Sequence, residues 1–146
     1  MGRISASVAL PYPPERVWRV ATRVEDLPKW MPEVVGAELL DTPLAVGSRA
    51  KLRLSAAAAG AEVTAAVTEL TPPTRLVLTG AGGPLGVAVR VSLRAAAGGG
   101  SEATVEVDLN TPPFLGFIAR EAEQRLGAGL PGALERLRAL IEAEPG

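Results

Sequence analysis

Val87-Ala88-Val89-Arg90-Val91-Ser92-Leu93-Arg94, followed after a glycine-bearing stretch by Glu102-Ala103-Thr104-Val105-Glu106-Val107-Asp108-Leu109, is the passage from which the fold can be read. Both runs alternate apolar with polar residues, and a strand turns successive side chains to opposite faces. The glycines within residues 95–100 suit a hairpin turn. Setting Arg94 across from Glu102 brings Arg90 opposite Glu106 on the outer face. Each exposed pair contributes only about 0.2–1 kcal/mol. A slip of one residue, however, would bury the arginines, so the charges settle which face is wet.

The same period recurs toward the N-terminus. Ile4, Ala6, Val8 and Leu10 alternate with Arg3, Ser5 and Ser7. Ala50, Leu52 and Leu54 alternate with Arg49, Lys51 and Arg53, and Val63, Ala65 and Val67 with Glu62 and Thr64. Residues 34–42 and the short apolar run 74–79 read as further strands. Between the first strand and the rest, prolines 11, 13 and 14 end the strand and open a helix over residues 15–24. A second short helix is expected over 25–31, stopped by Pro32. The chain closes with a long helix, about residues 112–142, with Thr111 as N-cap and Pro112 as its first residue. Leu115, Ile118, Ala122, Leu126, Leu130, Leu134, Leu137 and Ile141 form its apolar stripe. Gly127, Gly129 and Pro131 in its middle predict a bend. Residues 56–59 and 95–100 are low-complexity turns, too short for linkers, so residues 1–146 form a single domain.

Composition removes most chemistry. With 47% hydrophobic residues the chain folds, and with no cysteine and no histidine it offers no thiolate, no imidazole base and no common metal ligand. A net charge of −1 and only five aromatic residues argue against a nucleic-acid partner. No apolar run fits a signal peptide or a stable membrane insertion, and the expected compartment is the cytoplasm. The glycine-rich run 79–86 lacks the residues of a phosphate loop and reads as a mobile loop or lid.

Strand, two short helices, a meander of about six strands and a long helix make an α+β layout with an antiparallel sheet. About seven strands curl, and one helix about 10 Å wide cannot fill the concave face. Small inward residues such as Ala50, Ala65 and Ala103 therefore suggest an internal cavity, with a tightly packed core as the alternative.

Pro14-Glu15-Arg16-Val17-Trp18, Asp26-Leu27-Pro28-Lys29-Trp30-Met31-Pro32 and Val46-Gly47-Ser48 together resemble the polyketide cyclase/dehydrase and START-like (SRPBCC) superfamily. That superfamily is also similar to the major birch pollen allergen fold. The resemblance is close over the first third, and the element order matches across almost all of the chain. It implies a helix-grip fold: a curved antiparallel sheet of about seven strands with two short helices and a long C-terminal helix over a cavity. It also implies ligands such as lipids, sterols, polyketides, quinones or plant hormones, with cyclisation or dehydration catalysed by some members.

The residues expected to face such a ligand are Trp30, Leu52, Leu54, Val63 and Val67, then Leu76, Leu78, Val89 and Val91 from the middle of the sheet. Phe114, Phe117, Ile118, Ala122 and Leu126 from the opening of the long helix complete the set. For Trp18 and Trp30, packing of the short helices on the sheet is the competing role, and for Phe114, Phe117 and Ile118 it is membership of the core. Glu62, Glu102, Glu106 and Asp108 fall on the outward phase, so no catalytic group, metal or cofactor is assigned. The expectation is a binding or transport protein for a hydrophobic small molecule, with oligomeric state left open. A polyketide cyclase or aromatase and a protein-interaction module with a filled core are the rival readings.

Overall fold

A computed structural model of the chain describes residues 2–31, 33–55, 62–82 and 85–144. Strand β1 (Gly2–Leu10) leads into helix α1 (Pro14–Ala21) and, through a 3-10 turn at Val24–Asp26, into α2 (Leu27–Trp30). Strands β2 (Val34–Leu39), β3 (Arg49–Leu54), β4 (Glu62–Thr71), β5 (Arg75–Gly82), β6 (Leu85–Ala95) and β7 (Ser101–Asn110) follow. Another 3-10 turn at Pro113–Leu115 then opens the long helix α3 (Gly116–Ala143).

The strands form one antiparallel sheet in the order β1-β7-β6-β5-β4-β3-β2, so the first strand closes against the last. Arg94 stands opposite Glu102 and Arg90 opposite Glu106, the register read from the alternating charges. Arg94 pairs with Glu102 directly. Arg90 instead reaches diagonally to Asp108, 2.6 Å away, and Arg3 from β1 meets the same carboxylate at 3.0 Å. Burial would raise the Asp108 carboxyl, but hydrogen bonds from Arg90 and Arg3 outweigh it and hold the group below its ordinary value. One carboxylate on β7 thus ties both neighbouring strands.

Four local readings differ from the structure, one being the start of the long helix, which opens with the 3-10 turn at Pro113–Leu115 behind Pro112 as N-cap and not at Pro112 behind Thr111. The helix expected over 15–24 stops at Ala21: Thr22 closes its last turn with both its N–H and its hydroxyl on the Trp18 carbonyl, at 3.1 and 2.7 Å, and Arg23 turns to extended backbone. The second helix is consequently a 3-10 turn followed by the four residues of α2, with Pro28 in its first turn. The glycine-rich run 79–86 is no lid in its described part: it is the facing ends of β5 and β6, with Gly80 opposite Val87 and Ala81 opposite Gly86. A Cβ on Gly80 would stand 2.4 Å from the Thr64 carbonyl oxygen, and one on Gly82 2.1 Å from that of Glu62. These glycines serve close backbone approach between strands. Residues 83–84 lie outside the described residues, as does the turn expected at 56–59.

The core lies between the inner face of the sheet and the helices. Leu52, Val63, Val67, Leu76, Leu78, Val91, Val105 and Val107 bury themselves from the sheet, and Val17, Val20 and Trp30 from α1 and α2. Helix α3 packs along β1, α1, α2 and β7. It buries Leu130, Ala133, Leu134, Leu137 and Ile141 at helical spacing and runs unbroken through Pro131, which is exposed.

Candidate functional site

Val34 on β2, Leu52 on β3, Leu76 and Leu78 on β5, and Val89 and Val91 on β6 floor an internal void near the middle of the sheet. Each comes from the inward phase of its strand, so the alternation that hides apolar residues also builds this floor. The roof is the bent segment from α1 to α2, which contributes Ala21, Thr22, Val24, Leu27, Trp30 and Met31. The void measures ≈20 Å³. That is about the space one water molecule needs, and far less than a lipid.

Its wall is almost entirely apolar. The Thr22 hydroxyl already donates its proton to Trp18. Trp30 is the other lining residue whose side chain carries a nitrogen or oxygen, and the described lining carries no carboxylate, lysine, arginine or tyrosine. Among the described residues no group of acidic side chains is placed to hold a metal ion.

The site residues expected from the sequence divide into four sets. Trp30, Leu52, Leu76, Leu78, Val89 and Val91 all border the void. Leu54, Val63 and Val67 are buried in the surrounding core and do not line it. Phe114 and Phe117 are 77% and 62% exposed and stand apart from the void, a correction to their expected place in the pocket. The reason is their position: they lie in and just after the 3-10 turn before α3, whereas the described buried side chains of α3 all begin at Leu130. The side chains of Ile118, Ala122 and Leu126 lie outside the described residues.

Ala21, Val24, Leu27, Met31 and Val34 were not foreseen as lining. Their signal was present, since Val17, Val20, Ala21 and Val24 repeat at helical spacing, but it indicates only that this segment faces the sheet. It does not reveal that the facing surfaces stop short of full contact. The described part of α3 likewise does not border the void, whose roof is the short helices instead.

A charged seam fastens that roof to the end of α3. Arg16 of α1 donates from Nη2 to the carbonyls of Ile141 and Glu144, each at 3.2 Å, and lies over the Tyr12 ring at 4.7 Å. Arg23 pairs with Glu144 and lies 3.8 Å from Asp26, which in turn pairs with Lys29 at 3.2 Å. A surface cleft of ≈280 Å³ runs along the seam, bordered by Arg23, Asp26, Lys29 and Glu144. Its two cations and two anions offset each other, so it acts as a fastening and not as an ion site. Among the described residues no helix is long and apolar enough to cross a membrane.

Comparison with known proteins agrees with this architecture. The sequence profile of the family described as polyketide cyclase / dehydrase and lipid transport matches residues 1–142. No curated protein matches the chain. Among solved structures, TTHA0849 from Thermus thermophilus is similar with a TM-score of 0.74 at 21% identity, covering 97% of this chain and 98% of that one. A START superfamily protein from Mycobacterium smegmatis gives 0.71 at 17% identity, with 96% and 97% covered. Ara h 8.0201 gives 0.66 at 19%, with 98% and 99% covered. At these identities the likeness is one of fold, and that fold is the helix grip.

Proposed function

The chain belongs to the polyketide cyclase / dehydrase and lipid transport family, and from that premise we propose that it binds a hydrophobic small molecule, lipid-, polyketide- or quinone-like, in its interior. The observation that carries this reading is the void under α1 and α2, walled by side chains from two helices, four strands and the 3-10 turn that leave it almost without polar groups. Each CH₂ group moved from water into such a wall contributes about 0.8 kcal/mol, so an apolar guest is favoured and a charged one is opposed. Val89 both borders the void and keeps part of its surface exposed, which supports a route inward beside β6.

At ≈20 Å³ the void is the seed of a binding site rather than its bound form. A guest must displace the roof. The roof suits that motion, because it is two short helices joined by a 3-10 turn instead of one continuous element. Binding is favoured over turnover. Acid–base catalysis needs a titratable group within hydrogen-bond reach of the reacting atoms, and the described lining supplies none.

Native mass spectrometry of the purified protein, beside a denatured control, tests the proposal. The expected result is a non-covalent adduct of a few hundred daltons that is released on denaturation. A bare protein mass, together with no thermal shift from fatty acids, sterols, quinones or polyketides, would overturn it.

A further inference from the structure

Arg23 occupies the joint of the roof. Its backbone is extended between α1 and the 3-10 turn, and its two chain neighbours, Thr22 and Val24, both border the void. The Arg23 side chain borders the surface cleft instead and pairs there with Glu144, the residue just past the end of α3. Asp26, at the end of the 3-10 turn, lies 3.8 Å from the same guanidinium nitrogen, and Lys29 of α2 pairs with Asp26 at 3.2 Å. A chain of charges therefore runs from α3 through the joint into α2. At the start of α1, Arg16 holds the backbone carbonyls of Ile141 and Glu144, bonds that do not depend on the Glu144 charge. The cleft of ≈280 Å³ leaves the outer side of the Arg23–Glu144 pair open, so breaking the pair gives up little packing.

A guest too large for ≈20 Å³ must move the roof, Thr22 and Val24 included, and Arg23 between them moves with it. Guest and ion pair thus exclude each other. We propose that the Arg23–Glu144 pair is an autoinhibitory contact: it holds the roof against the end of α3 and keeps the interior closed until a guest competes it away. This rests on the proposed interior binding and adds its regulation. A contact made in the closed form and lost in the bound form lowers the apparent affinity by the factor it adds to the closed population. The side chains of Arg23 and Glu144 are 40% and 26% exposed, so that factor is at most about five. The sign is the distinctive part. Loss of a stabilising contact ordinarily weakens a binding site, whereas loss of this one strengthens it.

The test compares wild type with Arg23→Gln, Glu144→Gln and the double variant. Glu102→Gln serves as a control away from the roof, since its partner is Arg94 on the outer face of the sheet. Binding of N-phenylnaphthylamine, an uncharged fluorescent probe, is followed at equilibrium and by stopped flow. Both seam variants should bind it about two- to fivefold tighter and take it up faster. The double variant should gain little over the tighter single variant, because both remove the same pair, and Glu102→Gln should match wild type. Without the probe, amide hydrogen exchange at residues 20–24 should speed up in the seam variants while that of β7 stays the same. Unchanged or weaker binding in either seam variant would overturn the autoinhibitory contact and leave interior binding standing. An equal gain in Glu102→Gln, or tighter binding without faster exchange at the joint, would overturn it as well. Failure of the probe to bind any of these proteins would overturn both proposals.

Discussion

The hydroxyl of Ser101, fully buried at the start of β7, donates to the carbonyl of Tyr12 at 2.8 Å and joins the last strand to the loop that leads into α1. Ser101→Ala removes the donor and leaves the Tyr12 carbonyl without that partner at a partly buried position. The expected loss is about 1–3 kcal/mol. Chemical denaturation measures it as a lower midpoint at unchanged slope. A loss below about 0.5 kcal/mol would mean that the loop finds another donor.

Gly80 and Gly132 should answer oppositely to alanine. On Gly80 the new Cβ meets the Thr64 carbonyl oxygen at 2.4 Å and the Ala65 Cα at 2.5 Å, so β4 and β5 must part. Gly80→Ala should destabilise by about 1–3 kcal/mol or more. Around Gly132, inside α3, nothing lies within 4 Å of the built Cβ. Gly132→Ala should therefore stabilise by about 0.5–1 kcal/mol through chain entropy alone. Thermal melts of the two variants decide the matter, and equal shifts would contradict the strand reading of the glycine-rich run.

Glu144 makes the fastening of α3 to the roof acid-sensitive. The hydrogen bond from Arg23, followed by the charges of Arg23, Arg19 and Arg16, outweighs burial and holds this carboxyl below its ordinary value. A depressed folded value means that the contribution is complete above the unfolded value of about 4.3 and is lost as pH falls through the folded one. Wild type should melt above Glu144→Gln at neutral pH, and the gap should close on acidification. A gap that stays constant down to about pH 3 would show that the charge is not what matters.

Val91→Ile adds one methyl group to the wall of a ≈20 Å³ void. Stability should change by less than about 1.5 kcal/mol, since the space is nearly matched by the added group. Ligand retained in native mass spectrometry should fall, because the methyl group occupies the seed of the site. Undiminished retention would move the ligand to another part of the interior.

The alternation from Val87 to Leu109 was enough to read the sheet, its wet face and the pairing of Arg94 with Glu102. These are local properties: a period of two and the sign of a charge act over neighbouring residues, and burying an arginine through a slipped register is costly wherever the sheet ends up. The glycines at 80 and 82 read as a loop because glycine usually marks one. Their actual role depends on the carbonyls of Glu62 and Thr64, which lie far away in sequence. Phe114 and Phe117 illustrate the same limit, since an aromatic residue records a preference for burial and not the place where its helix first meets the core.

The chain by itself thus determined the element order, the antiparallel sheet, the absence of thiol and imidazole chemistry, and six of the residues that border the void. Only the tertiary structure decided that the void is roofed by α1 and α2, that it measures ≈20 Å³, and that Trp30, one of its lining residues, is wholly buried. A void is a small difference between large volumes, left where side chains from distant segments converge at near-crystalline density. No periodicity along one strand or helix carries that difference.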